Sequence, residues 1–257
     1  PQAPFEMAHY TGAFRAVESS HGPPVDRIGS RTYNPPERWR MNHIVFEGLP
    51  AVGKSEILAI LERFYPESVR VLPELVKERV EQERLDLFRD RDRLTAAIRA
   101  ALPTRARRIR DIAAQGLLCL EESHLAVHRA YSTVLGDVGF VQAYGSLQEV
   151  LPAPDAVVRL DIPVARSIER QRARGTPAFE VTAAPLAGML SELDRWHAEN
   201  GSVPFRIDAD RPAHETVRDV AELLGLTYRC PRRLAPDGFD VLLLLGRPAS
   251  GKSEFID

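Results

Sequence analysis

From residue 43 onward the apolar positions switch repeatedly between two spacings. Short runs rich in apolar and β-branched residues predict strands at residues 43–47, 69–72, 116–120, 156–161 and 204–208, of which 116–120 reads as buried. Segments with apolar residues three and four apart predict helices at 54–64, about 75–101, 104–115, 125–135, 164–174, 186–198 and 213–224. Pro103 is expected to break the long charged helix that precedes it, because proline lacks the N–H a helix interior needs. Strands separated by helices imply an α/β fold: a parallel sheet covered by helices on both faces.

Residues 48–55 read GLPAVGKS, the pattern GxxxxGK[ST], placed between the strand IVFE and the amphipathic run EILAILERF. In that setting the loop Gly48, Leu49, Pro50, Ala51, Val52, Gly53, Lys54 and Ser55 is expected to cradle the phosphates of ATP. The glycines let the backbone wrap so that N–H groups point inward, and the helix N-terminus adds positive potential. Lys54 would reach the β and γ phosphates, and the Ser55 hydroxyl would hold Mg²⁺. With the five strands above, the motif points to a five-stranded parallel sheet in a P-loop NTPase sandwich of three layers.

The outer segments read differently. Residues 1–40 contain Pro1, Pro4, Pro23, Pro24, Pro35 and Pro36 and no sustained hydrophobic period, so they are expected to be a flexible leader. Met41 stands directly before the first strand and is taken as the natural start or the domain boundary, giving a P-loop domain over 41–228. A linker over 229–238 then leads to residues 239–257, where an apolar strand runs into a second loop of the same pattern at 246–253. The expectation is a piece of a longer protein with two P-loop domains in tandem, in which the loop at 48–55 is the working one.

Composition narrows the partners. With 257 residues, 44% hydrophobic and 27% charged, the chain suits one large soluble α/β domain and a little more. A net charge of -2 gives no whole-chain attraction to nucleic acid or to acidic membranes. Cys119 and Cys230 match no metal-ligand or CxxC spacing, so a reducing cytosol is the expected setting. No apolar run approaches the roughly 20 residues needed to span a bilayer. A homodimer stays open, and the family resemblance described next implies a small-molecule phosphoryl acceptor as partner.

Two further segments carry a family resemblance. LPAPDAVVRLDIPVARSIERQRARG at 151–175 resembles the later strand and lid of the thymidylate kinase and deoxynucleoside kinase family, and FRIDADRPAHETVRDVAELLGL at 205–226 resembles its closing strand and last helix. With VFEGLPAVGKSEIL the resemblance covers about 41–226. It implies an ATP- and Mg²⁺-dependent small-molecule kinase. Arg170 and Arg174 lie one helical turn apart where the lid would be, and would steady the charge that builds on the transferring phosphoryl group. The family places its adenine-side loop near Arg211.

The acceptor side departs from the family. Glu74, after the second strand, resembles the carboxylate that serves deoxynucleoside kinases as base, although Leu75 stands where they carry proline. Glu121 and Glu122 end the third strand at the edge where open α/β sheets bind ligands. One of the two is expected near Mg²⁺: Glu121 is grouped with Ser55 as metal ligand and Glu122 with the catalytic residues. The arginine that relatives carry beside this acid is missing, and so is their Arg-Glu-Pro-Gly-Gly segment. That loss favours a neutral, nucleoside-like hydroxyl over a dianionic monophosphate. Arg105, Arg107, Arg108 and Arg110 would compensate only if their helix faced the pocket; a solvated face is the plainer reading. Tyr131 is a candidate pocket wall, and His124 and His128 read as a buried or surface pair without a third metal ligand. A kinase for a non-nucleoside hydroxyl compound, or a non-catalytic ATP-binding switch, remains the alternative.

Overall fold

The computed structural model describes residues 41–174 and 182–226. The leader at 1–40, the linker at 229–238 and the second loop at 246–253 lie outside the described residues. Five strands, β1 (His43–Gly48), β2 (Val69–Leu72), β3 (Leu118–Glu122), β4 (Ala156–Asp161) and β5 (Phe205–Asp208), form one sheet in the order β2-β3-β1-β4-β5. Every neighbouring pair is parallel. β1 is central and buried along its whole length: its middle, Ile44 to Phe46, is apolar, and the flanking His43 and Glu47 are buried with hydrogen-bond partners. The chain leaves β1 toward β2 on one side and later reaches β4 on the other. The carboxyl end of β1 is therefore a topological switch point, where open α/β sheets bind ligands.

Eight helices flank the sheet among the described residues: α1 (Lys54–Phe64), α2 (Leu75–Glu83), α3 (Arg91–Ala114), α4 (Leu125–Val134), α5 (Val138–Gln148), α6 (Val164–Ala173), α7 (Ala183–Glu199) and α8 (Ala213–Leu223). Two differ from expectation. Pro103 sits inside α3 without ending it, while the break falls earlier, at residues 84–90. Pro103 is exposed, and Leu102, Ala106 and Ile109 around it are buried, so packing outweighs the missing hydrogen bond. At the real break Arg84 takes a left-handed conformation, and the Asp86 carboxylate accepts from the N–H groups of Phe88 and Arg89 at 2.9 Å each. Helix α5 was not anticipated. Asp137 caps it through the Phe140 N–H at 3.1 Å, and Phe140, Tyr144 and Leu147 form its buried stripe.

Candidate active site

The loop between β1 and α1 has a backbone that only part of its sequence suits. Gly48 has φ 142°, and a Cβ there would lie 2.4 Å from the Leu160 carbonyl oxygen on β4, so glycine is required. Gly53 caps α1 at φ 106° with no side-chain capping bond, leaving first-turn N–H groups for a ligand. Ala51 stands at φ 57°, in the left-handed region. That conformation costs a non-glycine residue about 1–2 kcal/mol, while glycine's greater freedom in the unfolded chain offsets about 0.4–1 kcal/mol. Ala51→Gly is thus expected to raise stability by about 0.5–1 kcal/mol, and a urea midpoint that falls would contradict the strain.

Lys54 is buried and donates to the carbonyls of Gly48 at 3.1 Å and Leu49 at 3.2 Å. Burial pulls its pKa down, while the charges of Glu74, Glu122 and Glu47 work to keep it protonated. The Ser55 hydroxyl donates to Glu122 Oε1 at 2.5 Å. These are two hard oxygen donors at a helix N-terminus, the chemistry that suits Mg²⁺. Among the described residues no cluster of three or more His, Cys, Asp or Glu side chains could hold a metal alone. Mg²⁺ commonly takes only one or two protein oxygens, with substrate phosphates supplying more.

Alternation along β3 separates the two acids read together from the sequence. Glu122 faces Ser55, whereas Glu121, expected at the metal, points to the other side. There it takes His43 Nε2–H at 2.8 Å and Arg105 Nε–H at 2.9 Å. Burial alone would raise the Glu121 pKa, but the His43 hydrogen bond and the Arg105 charge hold it at about 2. Arg105 is itself buried, unlike exposed Arg107, Arg108 and Arg110, so the solvated-face reading holds for three of the four. The spacing Leu102, Arg105, Ala106, Ile109 put Arg105 on the buried face of α3, a signal present in the sequence.

Glu74 precedes α2 and lines a small open cleft together with Glu121, Ser123, His124 and His128. Burial raises the Glu74 pKa and Glu122 adds to the rise, while Lys54 opposes it. Burial also keeps His124 and His128 neutral, the latter at about 4. His124 Nδ1 accepts from the Ala126 N–H at 3.3 Å and so caps α4, and His128 packs edge-on against Phe140 at 4.4 Å. The charge of Glu74 reaches the half-buried Tyr131 hydroxyl and helps raise its pKa, after burial.

Helix α6 closes the other side of the loop. The buried Ser167 donates to the Pro50 carbonyl at 2.7 Å, and Arg170 bridges the carbonyls of Val52 at 3.3 Å and Ala209 at 3.2 Å. Arg174 pairs with Glu56 at 2.7 Å, and its charge reaches Lys54. Arg211 turns toward α8, donating to the Asp208 carbonyl at 2.8 Å and pairing with Asp219. It thereby braces the turn after β5. Behind the loop, Glu47 accepts from Arg159 Nε at 2.6 Å and from His197 Nε2 at 2.9 Å, a buried network that sequence reading missed.

Comparison with known proteins gives two kinds of match. No protein-family model matches the chain. Two structures of a deoxyadenosine kinase from M. mycoides superpose with TM-scores of 0.55 (with bound dATP) and 0.54 (with products dCMP and a flexible dCDP). Each is 18% identical and covers 71% of this chain and 98% of that one, which establishes the shared fold. A thymidylate kinase of Akkermansia muciniphila is 32% identical over 197 residues, 72% of this chain and 92% of that protein. With that identity across nearly the whole of its relative, the chain belongs to the thymidylate kinase family.

Proposed function

We propose that the protein transfers the γ-phosphoryl group of ATP to the hydroxyl of a nucleoside held in the cleft beside Glu74. The acceptor oxygen attacks phosphorus, its proton passes to the Glu74 carboxylate, and the bond from phosphorus to the β–γ bridging oxygen breaks, releasing ADP. Lys54 and the α1 N-terminus steady the phosphate charge, Arg170 braces the loop from α6, and Arg174, paired with Glu56 on α1, adds positive charge beside Lys54. Ser55 and Glu122 would hold Mg²⁺, which when bound neutralises phosphate charge.

The observation that carries the choice of acceptor is the charge of the cleft. Among the described residues its lining holds the carboxylates Glu74 and Glu121 and two imidazoles kept neutral by burial, with no lysine or arginine. Of the cations around it, Arg105 already has carboxylate partners in Glu121 and Glu78, and Lys54 is turned to the phosphate loop, donating to the Gly48 and Leu49 carbonyls. A dianionic phosphate would find repulsion there. A nucleoside monophosphate acceptor is the second reading, favoured by the 32% identity to a protein named thymidylate kinase.

Turnover of ATP with a panel of deoxynucleosides and their 5′-monophosphates tests the proposal. Lys54→Met is expected to lower kcat by about 10²–10³-fold, the usual loss when a donor to developing transition-state charge is removed. Unchanged turnover in that variant would remove the loop from the mechanism.

A further inference from the structure

Arg105 is 3% exposed, and each of its three guanidinium nitrogens has its own acceptor. Nε donates to Glu121 Oε1 on β3 at 2.9 Å, Nη1 to Glu78 Oε2 on α2 at 3.3 Å, and Nη2 to the Pro73 carbonyl at 2.6 Å. The other Glu121 oxygen is held by His43 on β1. One side chain on α3 thus ties the central strands to the turn between β2 and α2. The Pro73 carbonyl belongs to the peptide plane that it shares with the Glu74 nitrogen, so the shortest of these bonds grips the backbone carrying Glu74. The Glu74 side chain makes no capping bond to α2, and its backbone at φ -58°, ψ 117° is not helical. Its place over the cleft therefore depends on how that peptide is held.

We infer that Arg105 is a positioning residue for phosphoryl transfer: it clamps the Pro73–Glu74 peptide against β3 and fixes where the Glu74 carboxylate meets the acceptor hydroxyl. The inference rests on the reading of Glu74 as base. Arg105 does not touch the reactants, because it is buried and its nitrogens are already used. A planar fork reaches three acceptors in fixed directions, which a lysine ammonium on a flexible stem does not. The chain of bonds also explains why buried Glu121 stays ionised: its partners are His43 and Arg105, and it completes the anchor.

The test is a double-mutant cycle on the full chain, using ATP and the fastest acceptor of the panel above. Arg105→Lys is expected to lower kcat by about 10–10²-fold with the KM for ATP changed by less than about twofold, the effect of a misplaced base. In a Glu74→Gln background the same change should lower kcat by less than about twofold, because the group it positions is gone. Circular dichroism checks folding. Should Arg105→Lys fold poorly, Arg105→Gln combined with Glu121→Gln removes the buried charges together and should behave in the same non-additive way. Equal losses in both backgrounds, or no loss of kcat in either, would overturn the inference. Wild-type kcat in Glu74→Gln alone would instead overturn the base reading, a separate and recognisable outcome.

Discussion

Glu74→Gln is expected to lower kcat by about 10²–10⁴-fold, the span of general-base contributions, while leaving stability at neutral pH no lower than before. Burial, and then Glu122, raise the Glu74 pKa above its ordinary value of 4.5, with Lys54 opposing. A base works only when ionised, so kcat in the native enzyme should fall as pH drops through that raised value. The acid limb should therefore lie at higher pH than an ordinary carboxylate would give, and Gln should abolish it. The stability sign runs the opposite way. A carboxyl with a raised folded pKa contributes stability at low pH that is lost as pH rises through the folded value. Glutamine cannot ionise, so it does not suffer that loss. A pH–kcat profile together with a melting curve at pH 7 checks both halves. An unchanged acid limb, or a large drop in melting temperature, would contradict the assignment.

Arg159→Met is expected to destabilise the fold by about 3–5 kcal/mol, the usual result of breaking a buried ion pair from one side. Arg159 and Glu47 are each 1% exposed, and Asp194 is a further partner of Arg159. Without the guanidinium, Glu47 keeps only its His197 hydrogen bond among the described residues, in the buried space between β1, β4 and α7. At about 2–4 °C per kcal/mol for a chain of this size, the melting temperature should fall by about 6–20 °C. Adding Glu47→Gln to Arg159→Met should recover part of the loss, because the uncompensated charge is then absent. A double variant less stable than the single one would show that the network works through something other than charge.

The sequence carried most of the sheet because β1, β3 and β4 are largely buried and are built around apolar runs. It carried the phosphate loop because strand, glycines, lysine and helix follow in order. What it hid was three-dimensional direction. Glu121 and Glu122 are adjacent letters, and only the pleat of β3 sends one to Ser55 and the other to His43 and Arg105. Pro103 looked like a stop because local propensity was read without the packing of Leu102, Ala106 and Ile109. Helix α5 went unread because Gly139 and Gly145 dilute its pattern, although the spacing 140, 144, 147 and the Asp137 cap were present. Arg105 was grouped with three exposed neighbours in a basic run, and its position on the apolar face of α3 was the discriminating signal. The network Glu47–Arg159–His197 joins residues 112 and 150 positions apart, a distance no local pattern spans.

The most direct measurement is ADP release by the full chain with ATP and Mg²⁺, comparing the common deoxynucleosides with their 5′-monophosphates. A cleft lined by carboxylates and neutral imidazoles predicts that a nucleoside stimulates release with a kcat/KM at least about tenfold above that of its monophosphate, since like charges there are costly. Preference for the monophosphate would contradict the proposed acceptor class, and no stimulation by any acceptor would contradict the phosphoryl-transfer account itself.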